Sequence, residues 1–286
     1  MQIGVSAFAW TADFGGSHLD LLPQLRDHGL NAFEIPMFEP VKLPAAKIRR
    51  AMDTNGLACS VCAILPPGIN PISAESDVRK KSVAHLVKCL DVAAEMGATL
   101  IGGPVYAPIG YFSGQRRSTE EWKWAIDAFH QLTSTLDAYK LDLSIEPVNR
   151  SETYFLTTAH DATALCDAID HPRIGVTIDT FHANIEEKIL SHAIRATGSR
   201  LKHLHASEND RGLLGSGHID FEAVINALRK MGYTGCLMIE GFGYSPDEVT
   251  APGAMWADVE VSPEDIAFEG ARYLQKLLGS FPSRRA

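Results

Sequence analysis

The sequence predicts an α/β fold, a (β/α)8 or TIM barrel in which eight parallel strands alternate with eight helices. Along the 286 residues, eight short apolar runs alternate strictly with eight longer amphipathic segments, a pattern typical of a parallel sheet with crossover helices. Dividing the chain among eight units leaves about 36 residues for each, the usual length of one strand with its helix. An open nucleotide-binding sheet would normally show a glycine-rich turn after its first strand, and Ser6-Ala7-Phe8-Ala9-Trp10 is not such a turn.

The predicted strands are short and rich in Val, Ile, Leu and Cys, as parallel strands buried on both faces usually are. In order, they cover residues 3–8, 32–35, 58–64, 99–102, 142–146, 174–179, 202–205 and 236–240. The predicted helices cover residues 17–28, 43–54, 76–96, 118–139, 158–169, 186–196, 221–231 and 263–278.

Residues that typically begin or end a helix support the first four predicted helices. Ser17 could cap the first helix and Gly29 stops it, while Gly56 and Gly97 stop the second and the third. The fourth opens on Ser-Thr-Glu-Glu at residues 118–121, which is a capping box.

The fifth and sixth helices are indicated by their periodicity, and the last two also carry end signals. Asp220 caps the seventh, and Ser262 precedes Pro263 at the first position of the eighth. We find no linker and therefore expect one barrel domain over residues 1–286. The longest irregular stretches, 66–75, 104–117 and 241–261, each follow a strand, which would place them over the catalytic face of a barrel.

Composition and charge narrow the possible functions. A hydrophobic fraction of 45% and a charged fraction of 21% are ordinary for a globular protein with a sizeable core. The net charge of −9 disfavours a nucleic-acid partner. No apolar run approaches the roughly 18 residues that span a bilayer. We also find no signal peptide, and so expect a cytoplasmic protein without a membrane partner.

The five cysteines are expected to be buried thiols. Cys59 and Cys62 form a C-x-x-C pair, which elsewhere can mark a redox or zinc site. Both lie in the third predicted strand, where positions three apart face opposite sides. A shared site is therefore disfavoured.

The chemistry is expected at the carboxyl ends of strands five to eight. Each ends in an apolar residue followed by a polar one, which gives Glu146, Asp179, His205 and Glu240 at equivalent places. Three converging carboxylates would repel one another unless a cation neutralised them. Three oxygen ligands and one nitrogen suit Mn²⁺, Mg²⁺ or Co²⁺ better than structural zinc. The alternative is four separate barrel residues, each paired with Arg or Lys.

Three loop residues are candidates for ligand contact. His182 follows Asp179 by three residues, and Glu152 follows Glu146 by six. Arg211 lies in the segment after the seventh strand and offers donors for substrate oxygens. For each of them, an ordinary loop or surface role is the alternative.

Other polar and aromatic residues are expected to support the site. We expect a structural hydrogen bond from Glu34, and a role for His203 behind His205 rather than direct ligation. Apolar or aromatic walls are expected from Phe8, Trp10, Ile64 and Tyr106.

Four segments carry a resemblance to a known family. IEPVNR, DTFHANIEE, HLHASENDRG and IEGF, in this order and spacing, resemble the ketose 3-epimerases (D-tagatose and D-psicose/allulose 3-epimerases) of the xylose isomerase-like barrel superfamily. The resemblance implies a metal held by Glu146, Asp179, His205 and Glu240, and substrate contacts from Glu152, His182 and Arg211. The first four loops depart from the family pattern, which leaves the particular sugar open.

The resemblance fits the chemistry of these residues. Epimerisation at C3 removes a proton from one face and returns one to the other, through a cis-enediolate that a divalent metal stabilises. We expect Glu146 and Glu240, from strands separated by two others, to be the bases on opposite faces. The expected cofactor is Mn²⁺, with Mg²⁺ or Co²⁺ as alternatives. The expected partners are a small-molecule sugar and further copies of the chain, in a dimer or tetramer.

Three other functions stay open. One is a sugar, hydroxypyruvate or inosose isomerase, or a dehydratase, of the same superfamily. Another is an AP-endonuclease-like hydrolase, disfavoured by the net charge of −9 and by the single strong histidine ligand. The last is a sugar-binding protein without turnover.

Overall fold

A computed structural model describes residues 1–243 and 261–279. Eight parallel strands close into a barrel in chain order, which confirms the predicted (β/α)8 fold. The strands are β1 (Gln2–Ser6), β2 (Ala32–Met37), β3 (Ala58–Ala63), β4 (Leu100–Gly103), β5 (Asp142–Ile145), β6 (Ile174–Asp179), β7 (Leu201–Ala206) and β8 (Cys236–Ile239).

Helices follow the strands around the outside of the barrel. They are α1 (Leu22–Asp27), α2 (Ala45–Asn55), α3 (Ser76–Glu95), α4 (Thr119–His130), α5 (Thr133–Tyr139), α6 (Ala159–Ile169), α7 (Thr180–Glu186), α8 (Leu190–Thr197), α9 (Phe221–Met231) and α10 (Pro263–Gly279). Within the described ranges, no helix is both long and apolar enough to cross a membrane.

Two helix predictions differ from the structure in the first half of the chain. Residues 17–28 form a 3-10 helix over Gly16–Leu21 before α1, because Pro23 lies in the first turn of the α-helix and sets a new start. The predicted helix 118–139 is two helices, α4 and α5. At the junction, the Thr133 hydroxyl donates to the His130 carbonyl, 2.8 Å away. The capping box of Ser118 and Glu121 is present as predicted.

A third difference concerns the loop after β6. Residues 180–185, which we expected to be irregular, belong to the short helix α7 (Thr180–Glu186), and the helix predicted over 186–196 is α8 at Leu190–Thr197. The Asp179 side chain accepts a hydrogen bond from the Phe181 N–H at 2.9 Å and caps α7. His182 therefore lies in the first turn of a helix rather than in a loop. Most of the irregular stretch predicted at 241–261 lies outside the described residues.

The barrel brings the ends of β5 to β8 together. In the β6–β7 register, Asp179 is the partner of His205. The Glu146 N–H donates to the Gly103 carbonyl at 3.1 Å, and the Glu240 N–H donates to Ala206 at 3.0 Å. Gly103 has a φ of +117°, and a Cβ there would meet the Ala63 carbonyl at 2.3 Å, so this end of β4 requires glycine.

Candidate active site

Four polar side chains meet at the carboxyl end of the barrel. Glu146 and Glu240 follow β5 and β8 directly, Asp179 ends β6, and His205 lies next to the end of β7. One ligand atom from each of the four lies within 4.8 Å of the others, and all four residues are buried. The sequence-predicted cluster is therefore assembled in the fold.

The cluster is held by short contacts between opposite charges. His205 Nδ1 lies 3.2 Å from Glu146 Oε1 and 3.6 Å from Glu240 Oε2. Arg211 Nη1 lies 2.5 Å from Asp179 Oδ2 and 2.7 Å from Glu240 Oε2. Arg211, which we predicted to touch substrate, thus also bridges two of the three carboxylates.

Burial and neighbouring charges shift the pKa values in opposing ways. Burial raises the pKa of Glu240, although His205 and Arg211 oppose the shift. Burial also disfavours the Asp179 carboxylate, but Arg211, His182, His205 and the Phe181 N–H together outweigh it and lower the pKa of Asp179. Burial alone would lower the pKa of His205, but the carboxylates, Glu240 first, raise it well above its ordinary value. The cluster therefore stabilises positive charge at this point.

The donor set fits a divalent cation. Ligand atoms at about 2.0–2.6 Å on opposite sides of one cation are roughly 4–5 Å apart, and the four donors span no more than 4.8 Å. Three carboxylates and one imidazole form a set of hard oxygen donors with a single nitrogen, and the cluster contains no thiolate. Such a set suits Mn²⁺, Mg²⁺ or Co²⁺.

His182 is joined to the loop after β5 through Asn149. The Asn149 main-chain N–H donates to His182 Nδ1 at 3.2 Å, and its side-chain amide lies 2.9 Å from the same nitrogen. The amide also donates to Glu152 Oε1 at 2.8 Å. The Ser151 N–H donates to Asn149 Oδ1 at 2.9 Å. The NH2 group of the amide therefore faces His182 and Glu152. One asparagine, not singled out from the sequence, thus fixes both predicted contact residues.

Both ring nitrogens of His182 face N–H donors. The Asn149 main-chain N–H and the Arg211 guanidinium can only donate, and they lie 3.2 Å from Nδ1 and 3.1 Å from Nε2. Burial lowers the pKa of His182 to about 3, which keeps the ring neutral. Nε2 lies 3.6 Å from Asp179 Oδ2 and is the ring nitrogen that faces the cluster. Burial also raises the pKa of Glu152.

The loop that carries Arg211 is held by a buried carboxylate. Arg211 has a φ of +61°, a left-handed conformation that non-glycine residues adopt at some cost. Glu208, fully buried, accepts hydrogen bonds from the N–H groups of Gly215 and Ile219, each at 3.0 Å. Sequence reasoning missed Glu208, because nothing separates it from an ordinary surface glutamate in SENDRG.

The pocket beside the cluster has an apolar wall. Phe8, Cys62, Ile64, Pro104, Ile109 and Phe242 line it together with the polar residues. Phe8 and Ile64 were predicted wall residues. The two other predicted wall residues do not line this pocket. Trp10 donates to Glu264 at 2.9 Å, and the buried Tyr106 donates to the Leu156 carbonyl at 3.1 Å.

The supporting residues behind the cluster also agree with the sequence. His203 Nε2 lies 3.0 Å from Glu34 Oε2, and the Ser60 hydroxyl donates to the same oxygen at 3.1 Å. The structural hydrogen bond expected of Glu34 is confirmed. Cys59 and Cys62 are free thiols. Cys59 packs in the main core, while Cys62 packs with Phe8 and Phe242.

Comparison with known proteins extends these observations. The family model described as the xylose isomerase-like TIM barrel matches residues 22–277. A ketose 3-epimerase of Arthrobacter globiformis is 30% identical over 269 residues, which are 91% of this chain and 92% of the relative. A 3-dehydro-D-guloside 4-epimerase of Escherichia coli (strain K12) is 34% identical over 249 residues, 84% of this chain and 92% of the relative.

The similarity holds in three dimensions as well. A solved structure of an L-ribulose 3-epimerase aligns with a TM-score of 0.90 at 26% identity, covering 98% of this chain and 95% of that chain. The family match spans the ends of β5 to β8, where the candidate site lies. The chain therefore belongs to the xylose isomerase-like TIM barrel family and, within it, to the sugar-epimerising enzymes of the ketose 3-epimerase group.

Proposed function

We propose that this enzyme is a metal-dependent ketose 3-epimerase that acts on an unphosphorylated sugar. The observation that carries the proposal is the convergence of Glu146, Asp179, His205 and Glu240 at one buried point on the carboxyl face of the barrel. The names of the ketose 3-epimerase and L-ribulose 3-epimerase relatives support the position of the reaction.

Glu146 and Glu240 are proposed as the two bases. A proton next to a ketone is weakly acidic, so its removal requires about ten kcal/mol or more of stabilisation. A bound divalent cation supplies Lewis-acid stabilisation to the oxygens that gain charge. Because β5 and β8 are separated by β6 and β7 in the barrel, their terminal carboxylates can reach opposite faces of C3. One takes the proton and the other returns one.

Asp179 and His205 are proposed to hold the metal together with the two glutamates, and we propose Mn²⁺ as the ion. His182, Glu152 and Arg211 are proposed to orient the substrate. His182 contacts a sugar oxygen through Nε2, the ring nitrogen that faces the cluster, since Asn149 occupies Nδ1. The Glu152 carboxylate accepts a hydrogen bond from a sugar hydroxyl, and Nη2 of Arg211 donates one to a sugar oxygen. This division of roles leaves proton transfer to the two glutamates.

The pocket supports a neutral sugar. Among the described residues that line it, Arg211 is the one Lys or Arg side chain, and its Nη1 already pairs with Asp179 and Glu240. A phosphate would need a further cation or a free helix end. The apolar side formed by Phe8, Ile64 and Phe242 instead fits the carbon chain of a ketose.

A second candidate is epimerisation at C4 of a 3-keto sugar. The Escherichia coli relative, whose name states this reaction, is 34% identical to this chain. Its reacting carbon also neighbours a ketone, so the same pair of bases would serve. We favour C3, because the ketose 3-epimerase match covers 91% of this chain, whereas the 4-epimerase match covers 84%.

A substrate panel tests the proposal. The metal-stripped enzyme is reloaded with Mn²⁺ and incubated with D-fructose, D-tagatose, L-ribulose, their phosphates and a 3-keto-glycoside. Chromatography of the quenched mixtures should show the C3 epimer of a free ketose and no aldose. Accumulation of an aldose would identify an isomerase, and turnover of the 3-keto-glycoside alone would identify a C4 epimerase.

Three further properties belong to the proposal. We propose a single-domain chain that works as a homo-oligomer, which light scattering on the purified protein would measure. We also propose that the enzyme acts in the cytoplasm. All five cysteines are free thiols, which supports a reducing compartment.

A further inference from the structure

We propose that Glu34 is a positioning residue for His205, and that it sets the affinity of the active site for its divalent cation. The inference rests on the proposed function, because it takes His205 to be a metal ligand. Glu34 lies on β2, which contributes none of the four proposed ligands, and it is fully buried.

The His205 imidazole lies between two groups of carboxylates. Its Nδ1 faces Glu146 Oε1 at 3.2 Å and Glu240 Oε2 at 3.6 Å. Its Nε2 faces Glu34 Oε1 at 3.0 Å. Nδ1 is therefore the nitrogen directed at the proposed metal site, and Nε2 is directed away from it.

Glu34 Oε1 and His205 Nε2 face each other, 3.0 Å apart. Both atoms are buried, and among the described residues neither has a hydrogen-bond partner of good geometry. Their separation of 3.0 Å is that of a hydrogen bond, but the angle is too bent for one. Since buried polar atoms without partners are rare in folded proteins, we infer that this pair forms the bond when the ring is fixed by a ligand at Nδ1.

The second oxygen of Glu34 is already fully engaged. His203 Nε2 lies 3.0 Å from Oε2, and the Ser60 hydroxyl lies 3.1 Å from it. These two contacts engage Oε2 and leave Oε1 toward His205. The atoms of Glu34, His203 and His205 also lie close enough to hold a cation of their own. The hydrogen bonds to His203 and Ser60 favour the positioning role, and binding stoichiometry distinguishes the two.

A carboxylate on the far nitrogen of a ligating histidine has defined consequences. It holds the proton on that nitrogen, fixes the orientation of the ring and increases the basicity of the ligating nitrogen. Here it would keep the proton on Nε2 and leave the Nδ1 lone pair for the metal. Loss of such a partner typically weakens metal binding by about 10–100-fold.

Calorimetric titration of the metal-stripped, full-length protein with MnCl₂ tests the inference. Wild type should bind one Mn²⁺ per chain, and Glu34→Gln should bind it about 10–100-fold more weakly. Ser60→Ala is the matched control, since it removes a donor to Glu34 but keeps the carboxylate, and its affinity should stay within about threefold of wild type. At saturating Co²⁺, the visible absorption bands should shift in Glu34→Gln and stay unchanged in Ser60→Ala. A purely structural role would lower the melting temperature without moving these bands.

Each outcome decides between the alternatives. Wild-type Mn²⁺ affinity and unchanged Co²⁺ bands in a folded Glu34→Gln would overturn the inference while leaving the proposed function intact. A second Mn²⁺ per wild-type chain, lost in Glu34→Gln, would replace it with a second metal site. If wild type bound no divalent cation, the proposed function would fail as well. If Glu34→Gln does not fold, Glu34→Asp is the second variant, because it keeps the charge on a side chain one methylene shorter. Wild-type affinity in that variant would also overturn the inference.

Discussion

The main-chain N–H of Asn149 donates to Nδ1 of His182 across 3.2 Å, and this bond leaves Nε2 as the ring nitrogen that faces the pocket. Asn149 follows β5 and His182 lies in α7, so the contact joins the segments after two neighbouring strands. Because the donor is main chain, substitution of the Asn149 side chain leaves this bond in place.

The Asn149 side chain should matter for substrate orientation. In Asn149→Ala, Glu152 loses its amide donor at 2.8 Å, and His182 loses one of its two contacts with Asn149. We expect kcat/KM to fall about 10–100-fold, the equivalent of one or two hydrogen bonds to polar or charged groups. Steady-state kinetics measures the loss. Ser151→Ala changes an exposed neighbour and should stay close to wild type, and an equal loss there would contradict the assignment.

Removal of either base should abolish turnover without unfolding the protein. Glu146→Gln and Glu240→Gln keep the shape of the side chain but remove its ability to take a proton. Each should lower kcat by several orders of magnitude, roughly 10³-fold or more, because general-base catalysis is lost. Circular dichroism serves as the fold control. Near wild-type turnover in Glu240→Gln would refute the two-base scheme.

Metal removal should abolish activity and lower stability. Treatment with EDTA should remove turnover, and addition of Mn²⁺ or Co²⁺ should restore it. A ligand that binds only the folded state at 100 times its Kd stabilises that state by about 2.7 kcal/mol, so the melting temperature should rise on reloading. Full turnover in protein shown to be metal-free by elemental analysis would contradict this prediction.

An ion pair beside the site should give a pH-dependent contribution to stability. Glu186 accepts hydrogen bonds from the Arg150 N–H at 2.8 Å, from Nε at 2.9 Å and from Nη2 at 3.0 Å. Burial raises the pKa of Glu186, but the Arg150 donors outweigh it and leave this pKa below its ordinary value of 4.5. A lowered carboxyl pKa stabilises the fold above that ordinary value, and the contribution is lost as the pH falls through the folded-state pKa.

Glu186→Gln should therefore melt a few degrees below wild type at pH 7. The difference should shrink as the pH falls below the ordinary value of 4.5. Arg150 is 71% exposed, so solvent screens the pair and the difference should be small. Thermal scans in EDTA from pH 3 to pH 8 measure the difference without a contribution from metal loss. Glu120→Gln, at an exposed position in α4, is the control. A difference in melting temperature that increased at low pH would contradict the predicted direction.

The proposed metal ligands could be found from the sequence because their positions follow from local rules. Glu146, Asp179 and Glu240 each come directly after a buried apolar run, and parallel strands bring such ends to one face. His205 follows the same pattern in β7. The fold was predictable for the same reason, since strict alternation of strands and helices leaves few other topologies.

The relationships between distant segments were not predictable in this way. Glu34 is 169 residues from its partner His203, and only closure of the barrel brings β2 close to β7. Helix α7 was missed because Asp179 has two roles, as a polar strand end and as the cap of the next helix. The pairing of Arg211 with Asp179 and Glu240 involves a left-handed backbone conformation at Arg211. A glycine usually marks such a position in a sequence, and here the residue is an arginine.

Deuterium incorporation from solvent tests the central claim of C3 epimerisation most directly. A ketose that the enzyme turns over is incubated with the Mn²⁺-loaded enzyme in D₂O, and the quenched mixture is read by proton NMR. Proton exchange by Glu146 and Glu240 predicts deuterium at C3 in both the recovered substrate and the epimeric product. Deuterium only at C1 of the ketose, with an aldose accumulating, would contradict the account and make the enzyme an isomerase.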